Sequence, residues 1–326
     1  MAGVKDEPPA KRRLRLGKLW WWMVAAIASA IGWQMWELHL YNAAVREAKE
    51  AGFIWKCDDT LSIIRADWRN AFIKEIWGAN FRVLEMEEVP DLGRYREMLH
   101  HLNPTELRAW GLKDENLDAL KGLTGLQLLY LHGCDALQNV DALKGLTALQ
   151  KLNLWDCPAL QNVDALKGLT ALQSLDLDSC HALQNVDGLK GLTALQELSL
   201  EGCDALQNVD GLKGLTGLQK LEPSYCRALQ NVDGLKGLTG LQTLRLFDCT
   251  VLQNVDGLKG LTGLQELYLG GCAALQNVDG LKGLTGLQAL YLNDCDKIPA
   301  AALRELRAAL PNTDITFPHG TKNPPQ

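Results

Sequence analysis

No two of the nine cysteines in this sequence stand as C-x-x-C, and no histidines stand as H-x-x-x-H or H-E-x-x-H. Those absences remove the usual spacings for structural and catalytic zinc. The order G-x-x-x-x-G-K-[ST], whose backbone cradles phosphate, is missing too, so the many glycines read as turn residues. Basic charge is in short supply: 33 Lys and Arg against 39 Asp and Glu leave a net charge of −6. Binding a phosphate backbone needs a basic face to displace counterions, so the balance speaks against a nucleic-acid partner. Of the six histidines only His132 and His181 lie in the central part of the chain, with no nucleophile at a fixed offset. Carboxylates are plentiful, but surface acids without an enclosed pocket are usually solvated. We therefore expect neither an enzyme nor a cofactor.

Long apolar runs are also scarce, with one exception. "LWWWMVAAIASAIGWQMW", residues 19–36, would extend ~27 Å as a helix, close to the ~30 Å core of a bilayer. Trp20, Trp21 and Trp22 at one end and Trp33 and Trp36 at the other suit the two membrane interfaces. The basic residues 1–18 before it predict a cytoplasmic tail, with the bulk of the chain outside. The competing reading is a cleaved secretory signal, for which Ala28-Ser29-Ala30 supplies the small-x-small site. In either case the bulk of the chain leaves the cytoplasm.

What is abundant is repetition. Cys134, Cys157, Cys180, Cys203, Cys226, Cys249, Cys272 and Cys295 are each twenty-three residues apart, and a fixed period of this length means a solenoid. Before each cysteine stands a strand pattern such as Leu149, Leu152, Leu154, Cys157, in which leucines two apart share one face. After each cysteine apolar residues come every third position, as in Leu206, Val209, Leu212, Leu215 and Leu218, a spacing that predicts tight 3₁₀ turns. Asp210 is placed to cap such a turn and Lys213 to neutralise it. One coil buries little, whereas stacked coils bury their leucines against each other. Pro223 stands where every other coil has an inward leucine, and predicts a local bulge with Tyr225 redirected.

At these residues, over about Asp118 to Cys295, the chain resembles the leucine-rich repeat proteins, L-x-x-L-x-L-x-x-N/C. The short repeats are similar to those of bacterial internalins, with one extra residue after the ladder position. The resemblance implies an α/β solenoid, with parallel β-strands on the concave face and helical or 3₁₀ turns on the convex face. It also implies that the ninth position points inward and bonds neighbouring backbone. Here cysteine fills that position every time, which we read as a small buried filler and weak donor rather than a disulfide partner. Cys57, outside the array, reads as structural, with a free thiol or a bond between chains as alternatives.

Around the array, residues 118–295, the sequence divides into a juxtamembrane helical segment 37–79, an N-terminal cap 80–117, a C-terminal cap 296–318 and a tail 319–326. Leu61, Ile64, Trp68, Phe72 and Ile76 recur at helical spacing. "NFRVLEMEEV" and "TELRAWGL" read as strands with a helix over 91–102 between them. Ala302, Leu303, Leu306, Ala309 and Leu310 share one helical face, Pro311 stops that helix, and residues 315–317 add a last strand. This ending resembles the helix-plus-"LPN" close of bacterial leucine-rich repeat proteins.

Framework positions barely change from coil to coil, whereas outward strand positions change freely. Tyr130, His132, Trp155, Asp176, Asp178, Glu197, Glu201, Arg245, Phe247, Tyr268 and Tyr291 fall on that outward face and are the candidate binding residues. Exposed aromatics serve as binding anchors, and Asp176, Asp178, Glu197, Glu201 and Glu222 form an acidic band that favours a basic stretch on a protein or peptide partner. Unconstrained drift of a surface is the bland alternative. The expected function is a membrane-anchored binding protein. A purely structural envelope scaffold and an interaction module on the cytoplasmic face are the alternatives.

Overall fold

A strand whose leucines alternate inward and a set of three-residue steps that turn the chain back together make one coil, and the same prescription repeats. The computed structural model describes residues 53–56, 83–86, 92–96, 99–100, 103–320 and 322–324. Among the described residues twelve strands form one sheet in chain order. They are β1 (Phe53–Lys56), β2 (Val83–Met86), β3 (Glu106–Trp110), β4 (Leu128–His132), β5 (Lys151–Asn153), β6 (Ser174–Asp176), β7 (Glu197–Ser199), β8 (Lys220–Glu222), β9 (Thr243–Arg245), β10 (Glu266–Tyr268), β11 (Ala289–Tyr291) and β12 (Asp314–Thr316). β1 pairs antiparallel with β2, and from β2 onward the pairing is parallel. Each leucine sits beside its counterpart one coil away, as with Leu152 and Leu175. The inward leucines and valines and the eight array cysteines form one continuous buried core.

Each thiol from Cys157 to Cys295 donates to a carbonyl in the preceding coil, as Cys203 Sγ does to Leu177 O at 3.3 Å and Cys295 Sγ to Leu269 O at 3.0 Å. These eight thiols are free. Burial pushes the Cys180 and Cys295 thiols up to about 12, so they stay protonated and able to donate.

The three-residue steps are 3₁₀ turns that open on Asp-Ala-Leu or Asp-Gly-Leu, such as Asp210–Leu212. The capping assignment needs correction. Asp210 is the first residue inside its turn, and its own N–H donates to Asn208 Oδ1 at 3.1 Å. The asparagine of Q-N-V-D does this in coil after coil, from Asn139 to Asn277. The short Asn side chain folds its oxygen onto the amide two residues on, which is the Asx-turn geometry. The aspartate instead pairs with lysine, Lys213 Nζ lying 3.0 Å from Asp210 Oδ1. Such exposed pairs contribute ~0–1 kcal/mol each.

A second device was not anticipated. The residue before every array cysteine has positive φ: Gly133, Asp156, Ser179, Gly202, Tyr225, Asp248, Gly271 and Asp294. Small or Asx residues enter this left-handed region at little cost, whereas Tyr225, with φ of 60°, is a bulky residue there. Tyr225 therefore takes the backbone shape of its coil, and Pro223 does not redirect it. Nor does Pro223 create a bulge. β8 keeps register with β9 at Lys220–Thr243 and Leu221–Leu244, Tyr225 N–H still donates to Phe247 O at 2.6 Å, and Pro223 O still accepts from Cys249. What disappears is one bond. Leu154, Leu177, Leu200, Leu246 and Leu269 donate to the next coil, and Pro223, which has no N–H, cannot.

At the ends, the short helix α1 (Asp114–Leu117) precedes the first array turn, and α2 (Ala300–Ala309) lays Leu303 and Leu306 on the last coil before β12 closes the sheet. Within the span expected to be a helix, Leu92–Tyr95 forms a 3₁₀ turn, Arg96 and residues 99–100 are α-helical, and Leu92 and Leu99 are buried. Among the described residues no helix is long and apolar enough to cross a membrane. The run 19–36, Cys57 and the helix expected over 61–76 lie outside the described residues.

Candidate functional site

Because the coils stack in register, outward side chains line up in columns across the sheet. Asn153 stands beside Asp176 and Tyr268 beside Tyr291. Aromatics at the C-terminal side use this alignment. Tyr268 stacks on Tyr291 at 4.6 Å, nearly parallel, and Phe247 leans on Tyr268 at 5.3 Å. At the other side Trp110 meets His132 edge-on at 4.8 Å, and His132 contacts Trp155 at 6.0 Å.

Cations lie over two of the rings, and that of Tyr130 has a second one in Lys151 at 5.7 Å. Arg108 lies 4.9 Å over Tyr130 and pairs with Glu106 at 2.6 Å. Arg245 lies 5.3 Å over Tyr268 and pairs with Glu222 at 2.5 Å. Lys220 also reaches Glu222 at 3.2 Å. The acidic band therefore narrows, since Glu222 has cationic partners of its own. Asp176, Asp178, Glu197 and Glu201 make no ion pair among the described residues. The face aromatics also have packing partners: their rings pack on one another and on arginines across adjacent strands. Trp155 is the one that remains 47% exposed.

Two of these carboxylates, Asp176 and Asp178, are held by neutral donors. Asp176 Oδ2 accepts from Asn153 Nδ2 at 2.6 Å, Asp176 Oδ1 from the Asp178 N–H at 3.1 Å, and Asp178 Oδ1 from the Glu201 N–H at 2.7 Å. Burial pushes the Asp178 carboxyl up to about 6, a bond from Ser199 opposing and the charges of Asp176 and Glu201 adding. At the N-terminal side burial pushes the His132 imidazole below its ordinary value, against the attraction of Asp156.

No family model matches the sequence, and no curated protein does. Solved structures are similar in shape. Internalin C2 of Listeria monocytogenes is 29% identical over 59% of this chain and 81% of its own, with a TM-score of 0.47. The leucine-rich repeat domain of the type III effector XopL is 20% identical over 88% of this chain and 94% of its own, with a TM-score of 0.54. The fold is the leucine-rich repeat solenoid. The cysteine ladder and the 3₁₀ turns are its framework, and the outward columns are where the coils of this chain differ from one another.

All eleven candidate residues lie on or just beyond the strands of this face. Trp155, Asp176, Asp178, Glu197 and Glu201 fall on three neighbouring coils, while Phe247, Tyr268 and Tyr291 form a separate stack. Glu106, Arg108 and Trp110 were not among the candidates, and β3, in register with β4, carries them into the same columns. Sequence reasoning also missed Ser224, which is buried and accepts the Phe247 N–H at 3.3 Å. The strand spacing ahead of Leu107 was the signal for the first three. Nothing in the sequence distinguished Ser224 from an exposed position.

Proposed function

We propose that this is a binding module that takes a protein or peptide with a basic stretch on the concave face of its solenoid. One observation carries the reading: a strip of four carboxylates with no ion pair among the described residues, beside an exposed tryptophan, on a face where Glu106 and Glu222 are held by arginines. Complementary charge speeds encounter and selects partners. Reversing Asp176, Asp178 and Glu201 to lysine together should abolish partner recovery, and unchanged recovery would sink the proposal.

Residues 19–36 anchor the protein in a membrane with the N-terminus cytoplasmic and the repeats outside, on the strength of the tryptophan belts and the basic tail. An export-dependent phosphatase fused after Gln326 tests this. Activity places the repeats outside, and a stable but inactive fusion places them in the cytoplasm. A second reading, a scaffold that associates through its regular surface, draws on the repeated aspartate–lysine pairs of the turns. It predicts assembly that survives the charge reversal.

A further inference from the structure

The chain builds one arrangement twice from its own residues: a guanidinium lying over an aromatic ring while a carboxylate holds it. Arg108 does so with Tyr130 and Glu106, and Arg245 with Tyr268 and Glu222. Trp155 and Asp178 supply the ring and the carboxylate a third time, and no arginine or lysine pairs with Asp178 among the described residues. Asn153 and Asp176 are register partners, so residues 155 and 178, two steps further, stand side by side on adjacent coils. The Asp156 N–H donates to Asp178 O at 2.9 Å, which fixes that adjacency. Neighbouring coils are ~4.8 Å apart, within the span of one guanidinium. His132 contacts the indole from the coil before, and Asp178 stands on the coil after.

We propose that Trp155 and Asp178 seat one arginine side chain of an extended partner segment, the indole taking the guanidinium face and the carboxylate its edge. The inference rests on the reading of this face as a binding surface. Arginine fits better than lysine because its planar, weakly hydrated cation stacks on a ring and offers a fork of donors to a carboxylate. Asp178 is already oriented by the Glu201 N–H, so binding does not have to order it. Asp176 and Glu201 add negative charge on either side, which favours further basic residues in the segment.

The test uses the full-length protein and two fluorescein-labelled probes of equal charge, nona-arginine and nona-lysine, followed by anisotropy at constant salt. Wild type should prefer nona-arginine by about tenfold. Trp155→Ala should bring the two probes to within about twofold, mainly by weakening nona-arginine, and Trp155→Phe should keep part of the preference. Val251→Ala, at an exposed apolar position off the strand face, should leave the ratio unchanged. Equal binding of both probes to wild type, or an undiminished preference in Trp155→Ala, overturns the arginine seat. If both probes bind equally and the triple lysine reversal releases both, the seat fails and the binding face stands. If neither probe binds wild type, or the reversal changes nothing, the binding face fails as well.

Discussion

Tyr225 shows how much a single residue can be asked to bear by a repeating backbone. Its coil requires positive φ before the cysteine, where the left-handed region costs a residue with a Cβ ~1–2 kcal/mol, and its ring is 41% exposed, so packing returns little. Tyr225→Gly should raise stability by roughly 1 kcal/mol in urea unfolding; a loss would mean that the ring makes contacts worth more than the strain. Asp178 carries a different burden. Its carboxyl is raised from 3.8 to about 6, so folding takes up a proton between those values. The stability linked to this group is full below pH 3.8 and is lost as pH rises through about 6. Asp178→Asn should therefore melt higher than wild type at pH 8, with the difference shrinking towards pH 4. Equal melting at both pH values would show that the carboxylate is not destabilised by its site.

At the scale of one coil, Pro223 leaves the solenoid continuous but short of one bond between neighbours. Pro223→Leu restores the donor and the inward side chain, and should stabilise the chain by about 1 kcal/mol while slowing amide exchange in β8 and β9. The side of the 3₁₀ turns has its own constraint. Ala142 and Ala165 give way to Gly188, Gly211 and Gly234 at the same step, and a Cβ on Gly211 would meet Val186 O at 2.0 Å. Backbone there cannot yield as a side chain can, so Gly211→Ala should cost about 1–3 kcal/mol by thermal unfolding. The strands and 3₁₀ turns were legible because periods of two and three are properties of the sequence itself. The asparagine turn and the left-handed residue were not. The asparagine turn depends on which backbone group a short side chain reaches, and an identical residue in every coil looks the same whether it caps, spaces or merely persists; the left-handed position varies among Gly, Asp, Ser and Tyr, so no single residue type marks it. β1 was missed for a related reason: it lies outside the period and pairs antiparallel.

For the whole molecule, stability is close to a sum of coils and their interfaces. Removing one period, residues 187–209, joins equivalent positions and should leave a folded solenoid that melts a few degrees lower. Failure to fold would show that the coils are not interchangeable. The same modularity explains what could be read of the candidate site. The outward columns were visible in sequence because the framework around them is constant. Which members are already engaged, as Glu222 is by Arg245, follows only from three-dimensional neighbours, since partners on adjacent strands are twenty-three residues apart.

The row of sealed thiols also makes the chain its own reporter. A buried, protonated sulfur reacts with an alkylating reagent only while its coil is open. With Cys57 replaced by serine, the labelling rate of each array cysteine measures how often that part of the solenoid parts from its neighbour. The gap left by Pro223 lies between the coils of Cys226 and Cys249, so those two positions should be marked first, and the stack should read out its own weakest joint.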